Sequence, residues 1–305
     1  MNKKEEIMIQ LQKIVGAECV RMDEPMKNHT TFRIGGPARY FVRPSDEKQV
    51  EELLHICRRE EIPWFILGNG SNLLVSDRGY DGLIIQIYKN MSRVEVSGDV
   101  LEVQAGALLA AVSIKAQQAG LAGMEFASGI PGTLGGAVVM NAGAYGGEMK
   151  DILENVTVLT GDGQIKLLDK SELRMGYRTS VVKEKGYVVL AARLRLTPGN
   201  KEQIAARMDE LKEKRVENQP LEYPGAGSTF KRPEGNFAGK LIMDCGLRGY
   251  RVGGAQVSPK HCGFVINAQD ATAADVLALI RDVQDKVYEK FQVKLETEIR
   301  FLGDF

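Results

Sequence analysis

The sequence is poor in several things that would have pointed elsewhere. It has four cysteines and three histidines in 305 residues. The cysteines, Cys19, Cys57, Cys245 and Cys262, are scattered and form no CxxC pair, which argues against a disulfide-stapled domain and a thiolate metal site. With His29, His55 and His261 as the only histidines, a zinc or iron centre is short of ligands, and no metal is expected. No stretch reaches eighteen apolar residues, so no membrane span is expected. The opening MNKKEEIMIQLQKI has charges and an amphipathic pattern, without the unbroken apolar core of a signal peptide. An excess of either charge is also missing: 40 Lys and Arg face 40 Asp and Glu, leaving no bulk field for nucleic acid or an anionic membrane. Repeats and low-complexity segments are absent too. These absences leave a cytoplasmic enzyme with reduced thiols, acting on a small molecule. At 44% hydrophobic and 26% charged, the chain is long enough for two or three domains and should bury roughly 75% of its unfolded surface.

Glycine, by contrast, is concentrated. Between Gly129 and Gly147 the chain reads GIPGTLGGAVVMNAGAYGG, seven glycines in nineteen residues, where 33 in 305 would supply about two. Glycine permits positive φ and lets another group approach the backbone closely. Exposed N–H groups in such turns, at the mouth of the apolar segment Ala137–Met140, would suit phosphate oxygens. A second segment, Gly68-Asn69-Gly70-Ser71-Asn72-Leu73, follows the apolar run Trp64–Leu67 and offers more main-chain donors. It matches neither GxGxxG nor GxxxxGK[ST], so the Rossmann and P-loop templates are rejected. Two such segments about sixty residues apart suggest a pyrophosphate held between them.

The rest of the chain reads as α+β. Apolar spacing predicts helices over 1–20, Asp46–Glu61 (capped by Ser45 or Asp46), Leu108–Ala119, Lys201–Glu217, Ala238–Cys245 and Thr272–Lys290. Thr272 and Asp275 form a capping-box pair at the start of the last of these. Alternation predicts strands on either side of Ser97-Gly98-Asp99 and of Gly161-Asp162-Gly163, and again at Tyr187–Leu196, Phe264–Asn267 and Phe291–Leu302. Pro198-Gly199-Asn200 marks a boundary, and the Pro/Gly-rich connection NQPLEYPGAGSTFKRPEGNFAG is of the kind that carries function.

The motifs TTFRIGGPA, LGNGSNLLVSD, GIPGTLGGAVVMNAGAYGGE, MGYRTS, AGSTFKRP, AGKLI, GGAQVS and LETEIRFLG together resemble, in order and spacing, the UDP-N-acetylenolpyruvoylglucosamine reductase (MurB) family, from about Asn28 to Gly303. The resemblance implies a two-subdomain FAD-binding unit of the vanillyl-alcohol-oxidase (PCMH) type over residues 1–90 and 91–199, followed by an α+β substrate-binding domain over 200–305. It implies reduction of the enolpyruvyl ether of UDP-N-acetylglucosamine to UDP-N-acetylmuramate, a peptidoglycan precursor, with NADPH as donor and FAD as relay. By similarity Gly68, Asn69, Gly70, Ser71, Asn72 and Leu73 cradle the FAD pyrophosphate together with Gly129, Ile130, Pro131, Gly132, Thr133, Gly135 and Gly136. Asn141, Gly143, Ala144, Tyr145 and Gly146 would lie along the same cofactor.

The resemblance also carries over a catalytic trio: Arg178 from GYR, Ser228 from AGSTF and Glu298 from LETE. Hydride reaching the terminal alkene carbon leaves negative charge on its neighbour, delocalised into the carboxylate. An arginine fork holds that carboxylate bidentately and cannot lose its proton, so Arg178 would polarise the alkene. Ser228 would give the proton to the carbanionic carbon. Glu298, in its acid form, would help stabilise the enol oxygen. Tyr177, Arg232 and Lys240 are candidates for substrate contact, and His261 is read as structural. Arg232 departs from the family pattern GSxFKNP by replacing its asparagine, and an arginine can serve a UDP phosphate. The segment from Phe230 to Gly239 is short, as in the shorter, type II-like branch of the family, so no substrate-capping tyrosine is assigned. Two other classes compete. A flavin-dependent sugar-alcohol oxidase would not need the Ser228 and Glu298 pair, and its reduced flavin would react quickly with oxygen. A UDP-sugar sensor would be colourless. The oligomeric state is outside the reach of the sequence, a monomer being the default.

Overall fold

The structure, a computed structural model, describes residues 3–305. It divides into two compact units that are discontinuous in sequence. Unit 1 holds the residues up to Met22, Tyr40–Asn69 and Gly82–Lys214; unit 2 holds Asp23–Arg39, Gly70–Asp81 and Arg215–Phe305. Three consecutive blocks, 1–90, 91–199 and 200–305, are what the sequence suggests. The difference has a physical cause: Phe32, Ile34 and Leu74 bury their side chains in the core that residues 226–299 build, and take their segments with them.

In unit 1 the first helix is α1, Lys3–Val15, which buries Ile7, Leu11 and Val15 and stops at Gly16, φ 86°. Met1 and Asn2, part of the helix expected over 1–20, lie outside the described residues. Helix α2, Glu47–Arg59, is capped by Asp46, whose side chain accepts the Gln49 N–H at 2.8 Å. It buries Val50, Leu53, Leu54, Ile56 and Cys57 and leads into Trp64–Leu67, which pairs in parallel with Leu83–Gln86. An antiparallel five-stranded sheet runs in the order Ile165–Asp169, Leu153–Leu159, Val188–Arg195, Val100–Gln104, Val94–Ser97. Both hairpins expected from the Ser97 and Gly161 turns are in it. Five further helices complete the unit: α3 (Leu109–Ala119), α4 (Leu134–Met140), α5 (Met149–Ile152), α6 (Val181–Lys185) and α7 (Lys201–Asn218), the last of which runs on past Lys214. Helix α4 lies close on the sheet, since a Cβ on Gly135 would stand 3.1 Å from the Ala105 Cβ and 3.6 Å from the Val189 Cβ.

Unit 2 contains α8 (Ala238–Asp244), α9 (Ala273–Phe291), the antiparallel strands Arg251–Val252, Ala255–Val257 and Val265–Asn267, and a parallel pair, Leu73–Val75 with Arg300–Leu302. Helix α9 buries Val276, Leu279, Ile280, Val283 and Val287. Its N-terminus is well satisfied. Thr272 and Asp275 form the expected capping box, and Asp77, nearly two hundred residues earlier, accepts the Ala273 and Ala274 N–H groups at 2.8 and 3.0 Å. One expectation needs correction here. Phe291–Leu302 is not a single strand: α9 continues through Phe291, Gln292 turns left-handed at φ 56°, and ladder pairing is confined to Arg300–Leu302. The extended stretch in between changes partners. Lys231 N–H donates to Glu296 and Glu298 N–H to Thr229, and from Arg300 onward the bonds go to Asn72–Val75.

All four cysteines are free thiols, and burial pushes the Cys57 thiol up to about 12. No helix among the described residues is long and apolar enough to cross a membrane. Because Asp77 supplies two of the acceptors at the start of α9, Asp77→Ala is expected to cost about 1–2 kcal/mol, as lost caps do. In a protein of this size that lowers the melting temperature by roughly 2–8 °C, a shift that thermal denaturation followed by circular dichroism will read.

Candidate functional site

The two glycine-rich segments meet in unit 1. Asn69 Nδ2 donates to the Pro131 carbonyl at 2.6 Å, Gly68 packs against the Thr133 side chain, and Gln86 Nε2 supports the Gly68 carbonyl from behind at 3.4 Å. Residue 68 has to be glycine, because a Cβ there would fall on Thr133 Oγ1. The glycines of the longer segment are used differently from the expected run of positive-φ turns. Of its seven, Gly146 alone has positive φ. Gly135, Gly143 and Gly147 admit close neighbours: a Cβ on Gly143 would stand 2.7 Å from the Gly147 carbonyl, and one on Gly147 2.6 Å from the Phe126 ring.

The expected anion cradle also moves. The first N–H groups of α4 are already spent, Leu134 on Ala107, Gly135 on Ala105 and Gly136 on Thr133 Oγ1. The open donors lie just before the helix, where the main-chain N–H groups of Gly129, Gly132 and the buried Thr133 have no acceptor among the described residues. The same holds for the N–H groups of Gly68 and Asn69. Main-chain donors inside a protein almost always find a partner. Contiguous donors without one, in loops kept clear of Cβ atoms, fit the oxygens of a pyrophosphate, so the residues present suit FAD. Ile130 is half-buried against the core of unit 1.

Beyond α4, Asn141 caps the helix in the left-handed region (φ 41°) and is buried. Its side chain is fully engaged: Nδ2 donates to Glu148 Oε2 (2.6 Å) and to the Gly176 carbonyl (3.0 Å), and Oδ1 accepts the Lys150 N–H (2.9 Å). Gly143-Ala144 and Gly147-Glu148 pair as a tight hairpin with Tyr145 (φ 51°) and Gly146 (φ 91°) at its tip, the two positive φ values of a type I′ turn. Asn141 thereby fastens the MGYRTS turn to the glycine stretch, helped by Ser180, whose Oγ donates to the Val139 carbonyl and accepts the Lys183 N–H as cap of α6. Arg178 sits in that turn at φ 54°, with its guanidinium 5.1 Å from the ring of exposed Tyr177 and its carbonyl held by Lys183 Nζ.

Ser228 and Glu298 come together in unit 2. The Glu298 N–H donates to the Thr229 carbonyl at 2.8 Å, and Phe230 and Thr297 bridge alongside. On its other side Glu298 is tied to the glycine loop, because Asn72 Nδ2 donates to its carbonyl at 3.2 Å and the Arg300 N–H to that of Asn72 at 3.1 Å. Glu298 thus stands where the C-terminal stretch changes partners, next to the serine loop and to the loop of Gly70, Ser71, Asn72 and Leu73. Buried Thr229 anchors Ser228 from the inside; its N–H donates to Gly263 and its Oγ1 accepts the Val265 N–H at 2.9 Å. Thr229 is not singled out by the sequence; the signal available is its place in STF. Arg232 lies 3.9 Å from the Phe237 ring, and Lys240, exposed on α8, pairs with Asp244 at 2.6 Å. His261 accepts the Gly263 N–H on Nδ1 and sets its ring edge on Phe264, and burial holds its pKa below the ordinary value, in keeping with a structural role.

Comparison with known proteins gives the family and the fold. Residues 38–169 match the pattern of an FAD binding domain, and residues 219–302 that of the UDP-N-acetylenolpyruvoylglucosamine reductase C-terminal domain. The chain is 58% identical to the UDP-N-acetylenolpyruvoylglucosamine reductase of Agathobacter rectalis over 93% of its length and 94% of that protein. It is 49% identical to that of Alkaliphilus oremlandii, over 96% and 97%. The crystal structure of the reductase (MurB) from Thermus caldophilus superposes with a TM-score of 0.80 at 38% identity, over 93% of this chain and 98% of that one. An alkyldihydroxyacetonephosphate synthase at 15% identity and TM-score 0.50 shares the fold over 65% of this chain.

The contact between Gly68 and Thr133 can be tested directly. Gly68→Ala forces an overpacking cost of about 1–3 kcal/mol onto the loop, which should weaken FAD binding roughly 5- to 150-fold in a fluorescence titration of the apoprotein.

Proposed function

The chain belongs to the UDP-N-acetylenolpyruvoylglucosamine reductase family and is an FAD-binding oxidoreductase, and from that premise we propose that it reduces UDP-N-acetylglucosamine enolpyruvate to UDP-N-acetylmuramate at the expense of NADPH, in the cytoplasm, as a step of peptidoglycan precursor synthesis. The observation that carries the reading furthest is the joining of Ser228 and Glu298 through the bond from the Glu298 N–H to the Thr229 carbonyl. A hydroxyl and a carboxyl on adjacent backbones, beside a loop of open main-chain donors, are what a reaction adding hydride and then proton across an electron-poor alkene needs.

Bound FAD, reduced by NADPH, supplies the hydride for the terminal alkene carbon. The roles we propose for the chain's own residues follow from the charge this creates. Arg178 holds the substrate carboxylate with its fork, so that negative charge arriving on the neighbouring carbon is drawn into a group already neutralised. The αL backbone of Arg178 is kept in place by the Gly176 and Thr179 bonds and by Lys183, which sets where the side chain leaves the turn. Ser228 gives its hydroxyl proton to the carbanionic carbon, completing the lactyl ether. Glu298 stabilises the enol oxygen while the charge lasts. Arg232, Lys240 and Tyr177 are proposed to contact the UDP-sugar, Arg232 being the one suited to a phosphate.

Anaerobic stopped-flow absorbance near 450 nm separates the two half-reactions. Wild-type protein should bleach with NADPH and regain its colour on mixing with the enolpyruvyl substrate. Ser228→Ala should keep the first step and slow the second by at least about 10²-fold, the lower end of what a positioned acid contributes. Equal slowing of both steps would remove Ser228 from the donor role, and flavin that stays reduced until air enters would point to an oxidase.

A further inference from the structure

One residue in unit 2 is bonded to both of the loops that flank Glu298, to one through its main chain and to the other through its hydroxyl. Thr31 lies in the TTFRIGG stretch. Its N–H donates to the Gly70 carbonyl (3.1 Å), and its own carbonyl accepts the Gly225 N–H (3.1 Å). Its Oγ1 donates to the Gly225 carbonyl at 2.6 Å, with the Gly70 carbonyl also within reach at 3.4 Å. Gly70 opens the loop that runs through Asn72, and Gly225 the one that runs to Ser228. The neighbours of Thr31 are occupied elsewhere: the Thr30 hydroxyl donates to the Ile34 carbonyl, and Phe32 is buried in the core.

We propose that Thr31 is a positioning residue for proton transfer, its hydroxyl fixing the Gly225–Thr229 loop against the Gly70–Leu73 loop and so deciding where the Ser228 hydroxyl stands. The proposal rests on reading Ser228 as the proton donor. What supports it is how the serine loop is held. In its middle Gly227 is left-handed at φ 73°, and no atom lies within 4 Å of where its Cβ would be, so packing does not restrain the turn just before Ser228. The ends do: Thr229 is pinned by Gly263, Val265 and Glu298, and Gly225 by Thr31 together with an isolated bridge to Ile266. The Thr31 hydroxyl is the side-chain contribution to the N-terminal anchor. Without it the serine can swing about Gly227, and a misplacement of about 1 Å is enough to cost up to roughly 10²-fold in rate.

The test uses the holoenzyme and the same two half-reactions. Thr31→Val keeps the size and the main-chain bonds but removes the donor. It should leave flavin reduction by NADPH within about twofold of wild type and slow reoxidation by UDP-N-acetylglucosamine enolpyruvate by roughly 10- to 100-fold, with Thr31→Ser restoring most of the loss. In a Ser228→Ala background Thr31→Val should add little further slowing, because the two act on one step. Equal slowing of both half-reactions, no rescue by serine, or full additional slowing in the Ser228→Ala background would overturn the proposal. Failure of the Ser228 reading shows separately, as unslowed reoxidation in Ser228→Ala alone. Should Thr31→Val give no folded flavoprotein, Thr31→Ala, which adds no atom, goes through the same measurements with the same criteria.

Discussion

The site depends on main-chain donors that the protein itself does not satisfy. Folding normally pairs every backbone N–H it takes out of water, since an unpaired one costs as much as a lost hydrogen bond. Here the loops at 68–69 and 132–133 leave such donors open, and the structure around them keeps them open: Asn69 binds Pro131, Gln86 backs Gly68, and α4 turns its own first N–H groups inward onto Ala105 and Ala107. An anion bound there would complete a set of hydrogen bonds that the fold leaves unfinished. Glycine serves this arrangement mostly by absence of a side chain, and only at Gly70 and Gly146 by a left-handed backbone.

The residues proposed for catalysis are held by a different method. Each sits in or beside a segment that is bonded to something far away in sequence. Arg178 rides on a turn that Asn141 and Ser180 fasten to the end of α4. Ser228 precedes Thr229, which is bonded to Gly263, Val265 and Glu298. Glu298 occupies the point where one extended stretch leaves the serine loop for the Asn72 strand.

Local physics made much of this legible in the sequence. Asp46, Thr272 and Asp275 announce their helices because a cap acts within four residues, and the hairpins at Gly98 and Gly161 are visible for the same reason. The glycine excess gave away the cofactor loops, because no ordinary turn needs seven glycines in nineteen residues. What did not show is long-range. Asp77 at the start of α9, Thr31 between Gly70 and Gly225, and the change of partner at Glu298 join residues tens to hundreds of positions apart, and no periodicity encodes such pairs. The same blindness explains the domain boundaries, which follow where Phe32 and Leu74 are buried and not where Pro198-Gly199 breaks the chain.

The patchwork make-up of unit 2 has a consequence for how the protein is made. On the ribosome, Phe32, Ile34 and Leu74 emerge early, but the side chains that cover them come from residues 226–299, and Leu73 has no strand partner until Arg300 is synthesised. Non-local closure of this kind is slow and leaves apolar surface open while it waits. Unit 1, up to Lys214, is already translated by then. The nascent chain therefore spends most of its synthesis holding out two segments whose apolar side chains are not yet covered. A premature stop anywhere before Arg300 would strand the Asn72 loop and the serine loop together.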